Sequence, residues 1–184
     1  MRNQSIKVVC ISGSLREQSS NSRLLSSIMS LMPSGTECIE YHELSELPHF
    51  NPDLDQDHIA PHAAIQHWRD LLGSADAVLI CTPEYAGGIP GSLKNALDWI
   101  VSSGELVNKP TAAISASPHP QGGSVALESL KGTLLMMNAL ITDKTTLSIP
   151  FISKKFGAEG RLSDADTLSA LNELIIALLP GTKP

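Results

Sequence analysis

Val8–Asn21 reads VVCISGSLREQSSN, and the order of its residue types decides the fold. An apolar run, Ile6 to Ile11, stops at a turn built from Ser12, Gly13 and Ser14. Arg16 follows, then the small polar cluster Ser19, Ser20, Asn21 and Ser22, then a helical stretch from Arg23. This is a strand feeding a polar loop that opens a helix. Backbone N–H groups at a helix start are unpaired, and the helix dipole adds partial positive charge, so such a loop favours an anion. Hydroxyls and an amide supply further donors, while Arg16 offers a charge-assisted contact to a phosphate.

The type of phosphate loop follows from what is missing. The dinucleotide fingerprint G-x-G-x-x-G is absent, because Gly13 stands alone and Arg16 occupies the place of the last glycine. The G-x-x-x-x-G-K-[ST] loop is absent as well. What remains is a Ser/Arg/Asn cradle suited to a terminal phosphomonoester. The plain alternative is a strand–helix turn with ordinary caps.

At 184 residues the chain fits one domain, 1–184, able to bury roughly two-thirds of its unfolded surface. Lys and Arg number 13 against 19 Asp and Glu, a net charge of −6, which argues against nucleic acid or an anionic membrane as main partner. Three cysteines, Cys10, Cys38 and Cys81, form no C-x-x-C pair and are expected as buried, reduced thiols. Met1 to Lys7 is polar and carries no signal pattern, and no stretch approaches the about 20 apolar residues of a membrane span. The expected compartment is the cytoplasm.

Short apolar runs alternate with amphipathic ones. Strands are expected at Ile6–Ser12, Thr36–Tyr41, Ala77–Cys81, Thr111–Ser115 and within Ala139–Ile149. Helices are expected at Arg23–Met32, Ala63–Leu72, Ser92–Val101, Ser124–Met137 and Asp164–Leu179. Five strands alternating with five helices imply an α/β parallel sheet covered on both faces. Ligands of such sheets sit beyond the carboxyl ends of the strands. Three loops leave those ends, Ser12–Asn21, Thr82–Gly91 and Ala116–Gly123, all rich in Gly, Pro and small polar residues.

The second loop and its helix read TPEYAGGIPGSLKNALD over Thr82–Asp98. Pro83 and Pro90 stiffen it, while Gly87 and Gly88 let its backbone approach something flat. Glu84 is either a site group or an anchor for the loop. Asn95 is expected to face inward and hold loop backbone, and Lys94 with Asp98 to form a surface pair.

Together GSLREQSSN and PEYAGGIPGSLKNALDW resemble the NADPH-dependent FMN reductase family, flavodoxin-like flavoproteins that include quinone and azo-dye reductases. LPHFNPDLD at 47–55 and SASPHPQGG at 115–123 also look like that family's loops. The resemblance implies a flavodoxin-like three-layer sandwich around a five-stranded parallel sheet. It implies that Ser14, Arg16, Ser19, Asn21 and Ser22 hold the FMN phosphate. Pro83, Glu84, Tyr85, Ala86 and Gly87 would line the isoalloxazine ring, with Ser117 and Gly122 approaching from the third loop. Many members carry Asn where this chain has Ala86. The implied chemistry is hydride transfer from NADPH (or NADH) to flavin N5, then two-electron reduction of a small-molecule acceptor in ping-pong order, with no side chain required as acid or base. A homodimer or homotetramer is implied too, with Leu47–Pro61 as candidate boundary.

Rival readings remain. A flavodoxin-type carrier or flavin sensor would use the same fold, but few aromatics are available to sandwich the ring. Cys10 and Arg16 have the C-x-x-x-x-x-R spacing of low-molecular-weight tyrosine phosphatases, although Glu17 follows the Arg and no Asp-Pro pair occurs. His58 and His62, with Asp53, Asp55 and Asp57, suggest a metal, yet His58 and Ala64 fail the calcium-loop template and Pro61 breaks a shared helix. A solvated loop accounts for them. His119, in the third loop, faces either substrate or solvent.

Overall fold

The structure, a computed structural model, describes residues 5–56 and 58–179. Five parallel strands form one sheet in the order β2-β1-β3-β4-β5, with β1 Ile6–Ser12, β2 Thr36–Tyr41, β3 Ala77–Thr82, β4 Thr111–Ala116 and β5 Thr146–Ile149. The helices are α1 Ser20–Leu31, α2 Ala63–Gly73, α3 Gly91–Asp98, α4 Ser124–Met136 and α5 Ala165–Leu178.

Strand alternation divides the core in two. Val9, Ile11, Val78, Ile80 and Ala113 point to one face and pack beneath α2, α3 and α4 with Trp68, Leu72, Leu97 and Leu130. Val8, Cys10, Leu79, Cys81 and Ile114 point to the other, under α1 and α5, with Leu24, Ile28, Leu171 and Ile175. β3 and β4 are buried throughout because both their faces are covered. That is the three-layer arrangement expected from the residue pattern.

The boundaries differ where a particular hydrogen bond intervenes. α1 starts at Ser20 rather than Arg23, because the Ser19 hydroxyl caps it by accepting from the N–H groups of Asn21 and Ser22. Asn21 and Ser22 therefore sit in its first turn. α3 stops at Asp98 instead of Val101, and Arg69 donates twice to the Trp99 carbonyl, at 3.0 and 2.6 Å, just beyond its end. β5 is confined to Thr146–Ile149, since a capping box between Thr142 and Thr145 closes a 3-10 turn before it.

The long Leu47–Pro61 stretch is held against α2 and α3. Asn95 accepts from Phe50 N–H at 2.7 Å and donates to the Pro48 carbonyl at 3.0 Å, which Trp99 Nε1 also reaches at 2.8 Å. Asn95 thus holds loop backbone, as expected. Arg69 and Asp55 pair at 2.7 Å, and Ser102 donates to the same carboxylate. Burial alone would raise the Asp55 carboxyl, but Arg69 and Ser102 hold it below the usual range. Lys94 and Asp98 form the surface pair anticipated at that spacing.

Among the described residues no helix is long and apolar enough to cross a membrane, and no three His, Cys, Asp or Glu gather to hold a metal. Asp57 and the first four residues of the Met1 to Lys7 stretch lie outside the described residues.

Candidate functional site

Four loops converge beyond the carboxyl ends of the strands on a cleft of about 280 Å³. Ser14, Arg16, Ser19 and Asn21 line it from the first loop and the start of α1. Pro83, Glu84 and Tyr85 line it from the loop after β3, and Ala116 to His119 from the loop after β4. Ile152 and Ser153, from the loop after β5, complete the wall.

The first loop reaches this position through close packing. Gly13 N–H donates to the Cys81 carbonyl at 2.8 Å, and a Cβ on Gly13 would lie 2.9 Å from Leu93 Cδ2 and 3.0 Å from Thr82 Oγ1. Only glycine lets the chain turn so close to β3. Beyond it three serine hydroxyls accept backbone N–H groups: Ser14 from Arg16, Ser19 from Asn21 and Ser22, Ser117 from His119. With lone pairs so engaged, each O–H is left to donate. Arg16 is exposed and forms no ion pair among the described residues. Three hydroxyl donors, a guanidinium and a helix N-terminus make a set matched to a phosphate.

Asn21 is 4% exposed. Its Nδ2 donates to the Ala116 carbonyl at 3.1 Å, tying α1 to the third loop, while its Oδ1 has no partner among the described residues. A buried acceptor left unsatisfied is unusual and costly. A polyhydroxyl chain attached to a phosphate offers the donor it lacks, so the residues present fit FMN.

The loop after β3 carries a tight hairpin turn. Tyr85 and Gly88 exchange both backbone hydrogen bonds, at 2.9 and 3.1 Å, and Ala86 and Gly87 have φ of 50° and 73°. Two consecutive positive φ values define the type I′ turn. The N–H groups of Ala86 and Gly87 have no partner among the described residues, and Tyr85 is half exposed at the tip.

Glu84 reaches away from that tip. Its Oε2 accepts from the N–H groups of Val125 and Ala126, both at 3.1 Å. Residue Gly123, which precedes α4 with φ of 79°, has no side chain to cap that helix. Glu84 supplies the cap from another loop, so the anchoring role left open by the sequence is the one its carboxylate performs.

Several expected site residues stand elsewhere. Ser22 turns to the other side of the first loop, where its Oγ lies 2.8 Å from Ser12 Oγ. Ala86 and Gly87 form the turn tip rather than the cleft wall. Gly122 faces β5: a Cβ there would lie 2.5 Å from Ser148 Oγ and 2.8 Å from Pro150 N, and its carbonyl accepts from Ser115 Oγ. His119 is on the wall, and its carbonyl accepts from Gly122 and Phe151. Ile152 and Ser153 were not anticipated, although a fourth loop leaving a strand's carboxyl end was a signal for them.

The thiols close the phosphatase alternative. Cys10 is fully buried within β1; contact with the Cys38 thiol and burial push its own thiol far above the ordinary value. A nucleophile needs the thiolate and access, and Cys10 has neither. Cys81 is likewise buried and raised, whereas Cys38 is only half-buried, which corrects the expectation of three buried thiols.

The description "NADPH-dependent FMN reductase" matches residues 6–154. A protein of Pseudomonas aeruginosa named NAD(P)H-dependent FMN reductase is 35% identical over 175 residues, covering 94% of this chain and 93% of that one. A 2-hydroxy-1,4-benzoquinone reductase of a Burkholderia species is 32% identical over 88% of each chain. The solved structure of FerB, a flavoenzyme NAD(P)H:(acceptor) oxidoreductase from Paracoccus denitrificans, superposes with a TM-score of 0.83 at 30% identity, over 94% of both chains. A cleft with a phosphate-matched donor set, on this sheet order and with this extent of similarity, has one consistent reading: the chain belongs to the NADPH-dependent FMN reductase family of enzymes, with FMN as cofactor and a reduced nicotinamide dinucleotide as co-substrate.

Proposed function

We propose that the four-loop cleft seats FMN and that the chain, folded as one domain, reduces a quinone, flavin, azo or similar small acceptor in ping-pong order. The orphaned Asn21 Oδ1 beside three free hydroxyl donors carries this reading, because phosphate and polyol chemistry together satisfy it. Ser14, Arg16 and Ser19 hold the phosphate at the start of α1, with Ser117 across from them. Asn21 meets a hydroxyl of the chain leading to the ring. Pro83 and Tyr85 border the ring, and the free N–H groups of Ala86 and Gly87 stand at the mouth of the cleft. Bound FMN supplies the hydride chemistry at its N5.

The protein's share is placement. Asn21 joins α1 to the third loop, Glu84 joins the second loop to α4, and the type I′ turn fixes Tyr85. The assembly is a homodimer or homotetramer in the cytoplasm, with Leu47–Pro61 at its boundary. Leu54 and Val101, exposed beside the Asp55–Arg69 pair, support this, and light scattering on the eluting protein tests it.

The deciding experiment reconstitutes the protein with FMN and titrates NADPH and, separately, NADH without oxygen. Stoichiometric bleaching of the bound flavin is expected, and Arg16→Ala should weaken FMN binding about tenfold or more. Flavin that binds and stays oxidised with both nucleotides refutes the reductase reading in favour of a carrier or sensor. Absence of flavin binding refutes the site.

A further inference from the structure

On the β2 side of the phosphate loop lies a second cleft, of about 470 Å³. It opens where β1 and β2 end, on the same rim as the candidate FMN cleft, and Ser14 and Arg16 line both. Arg16 is therefore the wall between them. The remaining lining includes Leu15, Glu17, Glu40, His42 and Ser45, with the Glu17 side chain exposed on the loop beside Arg16.

Glu40 is the unusual member. It lies next to the end of β2, and its side chain is only 20% exposed. No hydrogen-bond donor reaches its carboxylate among the described residues, and its one ion-pair contact there is His42 Nδ1 at 3.7 Å, on a side chain 74% exposed that carries charge only when protonated. Withdrawing a carboxylate from water without giving it a donor costs stability. A ligand hydroxyl would remove that cost. Around Glu40 the cleft offers a guanidinium and an exposed leucine, with Leu15 55% exposed. Acceptor, cation and apolar surface match a ribose diol, a phosphate and a flat base in turn. In the glycine-fingerprint dinucleotide fold, whose loop this chain lacks, an acidic group accepts from the adenosine 2′-hydroxyl in NAD-dependent members, and the same chemistry is open to Glu40 here.

We propose that this second cleft binds the adenosine end of the nicotinamide dinucleotide, with Glu40 accepting from the ribose 2′-hydroxyl, so that the chain prefers NADH over NADPH. The proposal rests on the reductase reading and adds which co-substrate it uses. A 2′-phosphate placed against a largely buried carboxylate meets like charge with little screening. Arg16 serves the pyrophosphate from the side opposite to FMN.

The test is calorimetric binding of ADP-ribose and of 2′-phospho-ADP-ribose to the FMN-loaded protein, neither of which needs turnover. ADP-ribose should bind at least fivefold tighter. Glu40→Gln, which keeps the shape and drops the charge, should bring the two affinities within about twofold. Ser45→Lys, on the exposed wall and harmless to the fold, should shift the ratio toward the phosphorylated probe. The kcat/KM ratio of NADH to NADPH should move the same way in each variant. No binding of ADP-ribose, equal affinities in the unaltered protein, or a ratio that Glu40→Gln leaves unchanged would overturn the proposal. Failure of both nicotinamide nucleotides to bleach the flavin would instead count against the reductase reading, and the calorimetry would still decide the cleft.

Discussion

Replacing Glu84 by Ala removes one carboxylate and should loosen two loops. The carboxylate accepts two backbone N–H groups at 3.1 Å, at the start of a helix whose own N-cap position is a glycine without a capping side chain. Loss of a capping side chain costs about 1 kcal/mol, and a hydrogen bond to a charged acceptor contributes about 1.5–3 kcal/mol where partly buried. The two bonds share one oxygen and the freed N–H groups regain water, so we expect about 2 kcal/mol in total. For a chain of this length that corresponds to about 4–8 °C in Tm. Glu84→Gln keeps an acceptor without the charge and should lose about half as much. Chemical unfolding monitored by circular dichroism measures both variants. Because Val125 and Ala126 lie just past the third loop, FMN affinity should fall in parallel with stability. A loss below about 0.5 kcal/mol, or identical losses for Ala and Gln, would refute the capping account.

Ala86 has φ of 50° in a turn that favours Asn at this position, so Ala86→Asn should raise stability by about 1 kcal/mol, read as a Tm increase of about 2–4 °C. No increase would show that the turn is not strained by alanine. Asp164 caps α5, and Lys155 with the Thr167 hydroxyl and N–H holds its carboxyl down to about 2 from 3.8. A carboxyl lowered by folding stabilises above its unfolded value and loses that contribution as pH falls, here from about pH 4 toward 2. Asp164→Asn should therefore flatten the fall of the urea midpoint across that window, and parallel profiles would contradict it. An alkylating reagent applied to the native protein should label Cys38 first and reach Cys10 and Cys81 only on unfolding, as mass spectrometry of the labelled peptides would show. Early labelling of Cys10 would undo its assignment to the core.

The sheet and its rim were legible because apolar runs of strand length alternated with helical periodicity, and because Gly, Pro and small polar residues collected at three strand ends. That Ser14, Arg16, Ser19 and Asn21 line one cleft was legible too, since the start of a helix gathers them within a few consecutive residues. Legibility failed where a side chain's direction depends on a distant partner. Ser22 faces Ser12, across the loop from the cleft, because one step along a helix turns a side chain by about 100°. Glu84 sits among ring-lining candidates, yet the bare N–H groups of Val125 and Ala126, 41 and 42 residues away, claim its carboxylate. Ile152 and Ser153 carry no motif; only the completed sheet brings the end of β5 to the cleft. The early starts and stops of α1 and α3 follow from single hydroxyl and guanidinium contacts that periodicity does not encode.

The hairpin tip at Ala86–Gly87 projects into open space: a Cβ added at Gly87 or Gly88 would touch nothing within 4 Å. Its two closing hydrogen bonds run between backbone groups of Tyr85 and Gly88 alone. The sheet beneath it is therefore indifferent to what the tip becomes. Lengthening or rewriting those two residues would reshape the mouth of the cleft while leaving the packing of the other elements untouched. The mouth of the cleft is in that sense a detachable trait, shaped by a few atoms that their own turn holds in place.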